Sequence, residues 1–500
     1  MSFLKNLFIK KKERKYEGAS LGRRLSKWNS PGTDADASLR GNLSHLRNRS
    51  RDLVRNNPVA AGALDSLVDE IVGEGIVGTI KHPDKKTQDR LNKQWRSWAE
   101  SKQADFNGLQ TFYGLQRLVV RSALEGGETI VKSLTKKSGF PLELQVLEGD
   151  HLSLFESKEN SDGSRVYQGI EYNKKGKRIA YHLLDEHPGA STIFTNNKQT
   201  RYSVDDIAHI FRVDRNGQSR GIPFLSPVLV RIKDLDDYND AQVVRQKIAA
   251  SWAAFITDYE AGDLDDTDEI ELIEKIEPGM IEILPPGKDI KFGNPPSVEG
   301  YGEFNSVHLH HIAKALGISY ELLTGDFSKT NYSSGRMGHL KTQKTIRTYR
   351  KHVLKPMFLD FVKAKFFQIL FLQGENIKEA TMQWTAPRTE MIDPTKEIPA
   401  ARDSVRAGLS TLSSEIRKGG LDPDEVMKEW KEDADRLDKD DLFFDSDPRR
   451  INRGGSLQDN LVNEDPDDNN IDVSDKSKKQ EKKKEDKSKE NGNDKKEKEK

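Results

Sequence analysis

From Val228 to Thr257 the chain runs thirty residues without a glycine or a proline, directly behind Pro227. Read as one helix from Ser226 to Thr257, the segment SPVLVRIKDLDDYNDAQVVRQKIAASWAAFIT makes a rod of about 45 Å at about 1.5 Å per residue, long for a globular helix. Gly221 and Pro223 punctuate the chain before it, and an acidic stretch from Asp263 to Glu277 follows. PGMIEILPPGKDIKFGNPP then reads as a compact β-like piece, and a second helix is expected from Tyr301 to Leu316. Two long helices flanking a small β-like insertion is the arrangement the rest of the fold must accommodate.

The second helix leads into a stretch of unusual charge. No Asp or Glu occurs between Asp326 and Asp360, in a chain that is 32% charged and evenly balanced. The window opens with a loop of small and polar residues around Lys329. It then becomes helical in composition, the helix running from about Ser334 to Leu372 with Pro356 expected to kink or divide it. Lys344, Arg347, Lys351 and Lys355 recur at steps of three and four, which lines cations along one face. Surface helices ordinarily alternate signs, so an acid-free face points toward a polyanion or an acidic partner.

Upstream, residues 1 to about 40 are basic, then rich in Gly, Ser and Asp, and read as a mobile arm. NLSHLRNRSRDLVRNNP reads as a helix broken at Pro58. A second follows with Ala60, Leu64, Leu67, Val68 and Ile71 on one face, ended by Gly73 and Gly75. Trp95 and Trp98 lie in an amphipathic piece and read as core. From Glu128 to Val213 come short β-branched and aromatic runs: ETIVKSL, LELQVL, YQGIEYN, RIAYHLL, STIFT and IAHIFRV. Asn173 to Gly176 reads as a hairpin loop, and the region as one α+β unit with an antiparallel sheet. ATMQWTAP is a further strand candidate, and short helices are expected around 398–408 and 411–419 and after Asp422, a plausible N-cap. Beyond about Asp440 the sequence is low-complexity Asp, Asn, Lys, Glu and Ser, too poor in apolar groups to offset ordering entropy.

Composition narrows the classes. Eighty-one basic and 81 acidic side chains cancel, so any attraction to a polyanion must be local. The chain has no cysteine, which removes disulfides and thiolate metal sites and fits assembly in a reducing cytoplasm. No apolar run approaches the ~20 residues that span a bilayer, and MSFLKNLFIKKKERK does not read as a secretory signal. Catalytic and cofactor motifs are missing: no phosphate loop, no H-E-x-x-H, no G-x-S-x-G. Gly73-x-Gly75-x-x-Gly78 follows a helix, so it reads as a helix end and turn. His308, His310 and His311 lack a fourth ligand and read as packing or subunit contact. Asp263 to Glu274 places oxygen ligands at calcium-loop spacing, but Asp268 stands where the loop needs glycine, so a solvated acidic link is the better reading.

Several runs, in order, resemble the lambda-type portal proteins of tailed bacteriophages. These are SRDLVRNNPVAAGALDSLVDEIVGEGI (50–76), EGGETIVK (125–132), LELQVLEGDHL (142–152), PGMIEILPPGKDIKF (278–292), LGISYELLTGDFSKTNYSSGR (316–336) and IDPTKEIPAARDSVRAGLSTLSSEI (392–416). The resemblance implies an α+β portal fold with an α/β wing, a two-helix stem, a small clip insertion, a channel loop with a long wing helix, and a helical crown. Mapped onto this chain, it gives a mobile basic arm (1–42), the wing (43–225), the first stem helix (226–257) and the clip (258–298). The second stem helix (299–322), channel loop (323–335), long wing helix (336–375), crown (376–440) and a disordered charged tail (441–500) follow.

The function implied is a ring, typically of twelve subunits, at one capsid vertex, passing double-stranded DNA during packaging and ejection. Its implied partners are itself, DNA, a terminase motor, major capsid and scaffolding proteins, and head-completion or tail connector proteins. The implied place is the virion portal vertex after assembly in the host cytoplasm, with no membrane, cofactor, metal or enzymatic activity. Lys329, Asn331, Tyr332 and Arg336 are the candidate channel-loop residues. Lys341, Lys344, Arg347, Lys351 and Lys355 are the candidate basic face, which meets DNA or acidic surfaces of adjacent subunits or of the first stem helix (Asp234, Asp236, Asp237, Asp240). The alternative is a non-specific DNA-binding structural protein using a basic helix without a ring.

Overall fold

Asn57 and Pro58 set the first corner of the chain. In a computed structural model, which describes residues 26–250, 254–258, 288–292 and 300–442, less 138, 155, 156 and 191–197, with a few positions before 26, α1 (Ala35–Leu39) and α2 (Leu43–Asn56) lead into α3 (Pro58–Val72). The Asn57 side chain accepts the amides of Val59 and Ala60 at 3.0 and 3.1 Å, and Pro58 fills the first helical position, where no amide is needed. Ala60, Leu64, Leu67, Val68 and Ile71 are all buried, as their spacing requires. Gly73 ends the helix at φ 53° and the chain passes into β1 (Val77–Lys81), so the glycine string is a helix end.

α4 (Lys85–Ala99) and α5 (Phe112–Gly126) complete the helical layer. Trp95 and Trp98 are core, with ring centroids 5.2 Å apart. Phe366, from a helix far along the sequence, closes on Trp95 at 4.9 Å and on Phe140 at 4.5 Å. Such rings bury about 150–250 Å² each, so this knot ties the first hundred residues to the second half of the chain. The Trp98 indole N–H donates to the Leu142 carbonyl at 2.9 Å.

The strands are β2 (Glu128–Leu134), β3 (Glu143–Glu148), β4 (Ser157–Glu159), β5 (Arg165–Tyr167), β6 (Ile170–Tyr172), β7 (Arg178–Leu184), β8 (Gln199–Ser203) and β9 (Ile207–Phe211). They form two antiparallel sheets where one was expected: β3-β2-β9, and the meander β4-β5-β6-β7-β8. Asn173 to Gly176 makes the expected hairpin between β6 and β7, the Gly176 amide bonding to the Asn173 carbonyl. STIFT lies outside the described residues. A tighter hairpin, Gln168-Gly169, joins β5 to β6 with both residues at positive φ, the backbone a two-residue turn needs. The Gln168 side chain is buried.

The long rod is shorter than expected. α6 (Leu229–Ala250) carries the helix, but β10 (Ala254–Asp258) is a strand paired antiparallel with β11 (Lys288–Phe292). The run Phe255-Ile256-Thr257 is aromatic and β-branched, so it suits a strand once a partner arrives from across the insertion. The rest of 259–287, with the calcium-like spacing, lies outside the described residues, as do 443–500. α7 (Tyr301–Leu316) has the expected bounds. α8 (Tyr320–Thr324) interrupts the expected loop, and α9 (Tyr332–Tyr349) begins before it was expected to.

Pro356 does not divide the next helix. Residues Arg350–Leu359 form a ten-residue π-helical segment that holds it, and α10 (Asp360–Leu372) continues. A wider turn tolerates a residue that cannot donate an amide and would clash with the α-helical ladder. β12 (Thr381–Thr385) pairs with β1, as the later strand candidate allowed. α11 (Pro394–Arg406) and α12 (Leu412–Lys418, capped by Thr411) follow.

Two units divide the chain, Met1–Pro423 and Asp424–Lys500. The second contains most of α13 (Pro423–Lys439), a helix with Met427 and Trp430 exposed. Asp422, expected as its cap, accepts from Thr79 Oγ1 at 2.8 Å and pairs with Lys81 at 3.5 Å. Within the first unit, part of the supposed mobile arm is held. Ala35 and Leu39 are buried, Asp36 accepts from the amide and hydroxyl of Ser219, and Arg215 donates to the Thr33 carbonyl at 2.9 Å. No described helix is long and apolar enough to cross a membrane.

Candidate nucleic-acid interface

The channel-loop candidates sit at a junction fixed at both ends. Gly317 closes α7 at φ 70°, Ser319 caps α8 by accepting the Leu322 amide, and Gly325 closes α8 at φ 69°. Asp326 then folds the chain back, accepting the Ser328 amide at 2.9 Å. The Ser328 hydroxyl and amide, with Lys329 nearby, hold the Asp326 carboxyl below its usual range. Thr330 Oγ1 donates to Glu321 at 3.0 Å, and Asn331 caps α9 in a reciprocal capping box with Ser334. The irregular stretch is therefore 325–331, not 323–335.

That changes the roles of the four candidates. Lys329 is exposed on the loop with no ion-pair partner among the described residues. Asn331 is occupied by capping. Tyr332 starts α9, and Lys396 of α11 lies 5.2 Å over its ring. Lys396 in turn bonds to Asp393 at 2.8 Å, and that bond with the one from Thr395 brings the Asp393 carboxyl down to about 2. Arg336 is exposed one turn into the helix.

α9 is held on its other side. Ile346 and Tyr349 are buried, Gln343 Nε2 donates to Glu70 at 2.7 Å, and Arg350 donates to the carbonyls of Glu70 and Ile71 at 2.6 and 2.7 Å. Those are the last carbonyls of α3, where a cation is favoured. Desolvation lowers Arg350 to about 10, still charged at neutral pH. With that face docked, Lys341, Lys344, Arg347, Lys351 and Lys355 all point outward, exposed and without an ion-pair partner among the described residues. The acids of α6 in the same chain do not meet them. Asp237 and Asp236 pair with Lys233 of their own helix, at 2.7 and 3.9 Å.

Two of the three histidines are packing groups, and His311 is exposed. His308 lies against Phe304 at 4.3 Å, and His310 stacks on Tyr320 at 4.2 Å with its Nδ1 2.7 Å from the Ser306 carbonyl. Another set, Glu148, Asp150 and His187, could geometrically hold a cation. The Arg51 guanidinium already donates to both carboxylates, at 2.5 and 2.6 Å, so the place of a cation is taken.

Sequence reading missed a buried charge knot. Glu128 is buried and accepts from Arg47 at 2.7 Å, from Arg220 at 2.5 Å, from the Gly221 amide at 2.8 Å and from His209 Nε2 at 2.9 Å. Burial would raise the Glu128 pKa, but Arg220, His209 and Arg47 carry it well below the carboxylate range. Burial drives His209 down to about 4 against the pull of Glu128, so its neutral ring donates from Nε2. Arg220 also donates to the carbonyls of Gly149, Gln168 and Leu152, which locks both sheets to the turn before α6. The only sequence signal was a lone acid at the head of an apolar strand.

The family model for phage portal proteins, lambda family, matches residues 21–350. A probable portal protein of Halomonas phage phiHAP-1 is 25% identical over 435 residues, 81% of this chain and 82% of its own. Portal protein B of Escherichia phage lambda is 24% identical over 473 residues, 82% and 87% of the two chains. Among solved structures, a chain of the virion of a native gene transfer agent particle aligns at TM-score 0.45 and 17% identity, over 76% of this chain and 94% of its own.

Proposed function

The chain belongs to the lambda family of phage portal proteins, and we propose that it forms the ring at the head-tail vertex, whose axial channel passes double-stranded DNA during packaging and ejection. The family match over residues 21–350 carries this reading. In it, α6 and α7 are the stem, the segment between them the clip, 325–331 the channel loop, α9 to α10 the long wing helix, and the helices after β12 the crown. The ring would work with a terminase motor, capsid and scaffolding proteins, and head-completion or tail proteins. It supplies no catalysis of its own, since the energy comes from the motor.

A channel must hold DNA loosely. Each phosphate neutralised releases counterions, so several firm contacts per subunit would stall sliding. Contacts should be few, sequence-blind and repeated around the ring. Lys329 fits, as one exposed cation on a short loop between two capped helices. Arg336 is a second contact at the loop's base, while Asn331 and Tyr332 hold the loop's end in place. Negative-stain microscopy of the purified protein tests the class: rings with a central hole are expected. A monomer or dimer binding short DNA in a salt-sensitive way would replace this reading with that of a basic-helix DNA-binding protein. Lys329→Ala and Arg336→Ala should leave rings intact and impair packaging or genome retention, and normal packaging in both would remove the loop from the reading.

A further inference from the structure

We infer that the cationic ridge of α9 and the outward face of α6 are two halves of one contact between copies of this chain. The inference rests on the ring reading and names the surfaces that would build it.

Two sides of α6 are accounted for. Ile232 and Leu235 are in the core, and Tyr238 and Asn239 face α7, with the Tyr238 ring tilted against that of Phe304 at 4.3 Å and Asn239 accepting from the Tyr301 hydroxyl at 3.1 Å. One exposed line on α6 runs Val230 (70% exposed), Asp234, Asp237, Ala241 and Val244 (54% exposed), flanked by other exposed residues such as Arg231 and Lys233. On α9 the outward line is Met337 (68% exposed), Lys341, Lys344 and Thr348. Both lines advance by steps of four, three and four, the seam along which two helices pack side by side.

The two lines also match in chemistry. Set parallel, Met337 falls on Val230, Lys341 on Asp234, Lys344 on Asp237 and Thr348 on Ala241. An apolar pair lies at one end, two opposite charges in the middle, and small side chains beyond. Neither Lys341 nor Lys344 has an ion-pair partner among the described residues, and Asp237 has only Lys233 of its own helix, an exposed pair of the kind that contributes little. Among the described residues nothing covers either line, because α9 is docked on α3 and α6 on α7. A second copy brings what each lacks: opposite charge, and an apolar surface for Val230 and Met337.

Charge exchange tests the seam. Asp234→Lys with Asp237→Lys, and separately Lys341→Glu with Lys344→Glu, should each abolish rings while circular dichroism stays that of the parent, since all four residues are exposed. The two pairs combined should restore rings. Rings as abundant as the parent's in either reversed variant would overturn the inference, as would failure of the folded combined variant to restore them. Because the chain has no cysteine, Asp237→Cys with Lys344→Cys adds a direct reading: oxidation should give disulfide-linked multimers on a non-reducing gel, and monomer alone would overturn the seam. The parent protein run alongside separates the two ideas. If it forms no rings, the ring reading falls, and the cysteine pair alone decides whether the α6–α9 contact exists.

Discussion

Around Glu128 and along α9 the chain concentrates positive charge in two regions and treats it in opposite ways. At Glu128, two arginines, a histidine and a backbone amide converge on one buried carboxylate, while Arg220 also reaches carbonyls and Arg47 Nη1 lies 3.2 Å from Asp150. Along α9 and the π-helical turn after it, five cations stand in water with no ion-pair partner among the described residues. A buried charge without partners is expensive, so the first set had to be completed within the fold. An exposed charge costs little, so the second set can wait for a partner from outside. Burial is what tells a structural cation from one available for recognition.

The comparison can be broken most sharply at its buried end. Glu128→Gln leaves the arginines facing a neutral amide and should cost about 3–5 kcal/mol, read as a fall in denaturant midpoint or as failure to fold. Gly221→Ala should cost about 1–3 kcal/mol, because a Cβ there would stand 2.1 Å from the Gly127 carbonyl oxygen. A variant of parental stability would mean that the backbone approach between Gly127 and Gly221 is softer than it looks. The pH profile comes next. His209 is neutral in the fold with its pKa at about 4, against an ordinary value of 6.5. Its contribution is full above 6.5 and is lost as pH falls from there through 4, because the unfolded ring takes up a proton that the folded ring refuses. His209→Gln keeps a donor for Glu128 and should flatten that part of the stability profile; an unchanged slope would assign it to other groups. At the exposed end, Lys344→Ala should change stability by no more than about 0.5 kcal/mol, and its effect should appear in ring yield. A large loss of monomer stability would show that the ridge is not free.

What could be read from the sequence followed the range of the interaction. The corner at Asn57-Pro58, the buried face of α3, the bounds of α7 and the hairpin at Asn173 are set by neighbours a few residues away, and they were legible. The end of α6 was not, because Phe255 to Thr257 pair with a strand some thirty residues on. The channel loop was drawn too long because the Asn331–Ser334 cap and the short helix after Ser319 went unread. The basic face was legible as a pattern, yet its lack of ion-pair partners among the described residues became visible only when α9 was seen docked through Gln343 and Arg350. The Glu128 knot draws on residues 47, 128, 209 and 220, and no local pattern joins them.

The π-helical segment around Pro356 has a consequence of phase. Continuing the 3.6-residue spacing from Ile346 through it would bury Ala364 and Phe371. Both are exposed, and Phe366 and Leu370 are buried instead. Ten residues of wider turn thus rotate the working face of α10 against that of α9. Length there matters more than identity. Deleting one residue between Arg350 and Leu359 would turn α10 by roughly a quarter of a turn, withdraw Phe366 from Trp95 and Phe140, and leave Lys341, Lys344 and Arg347 of α9 where they were.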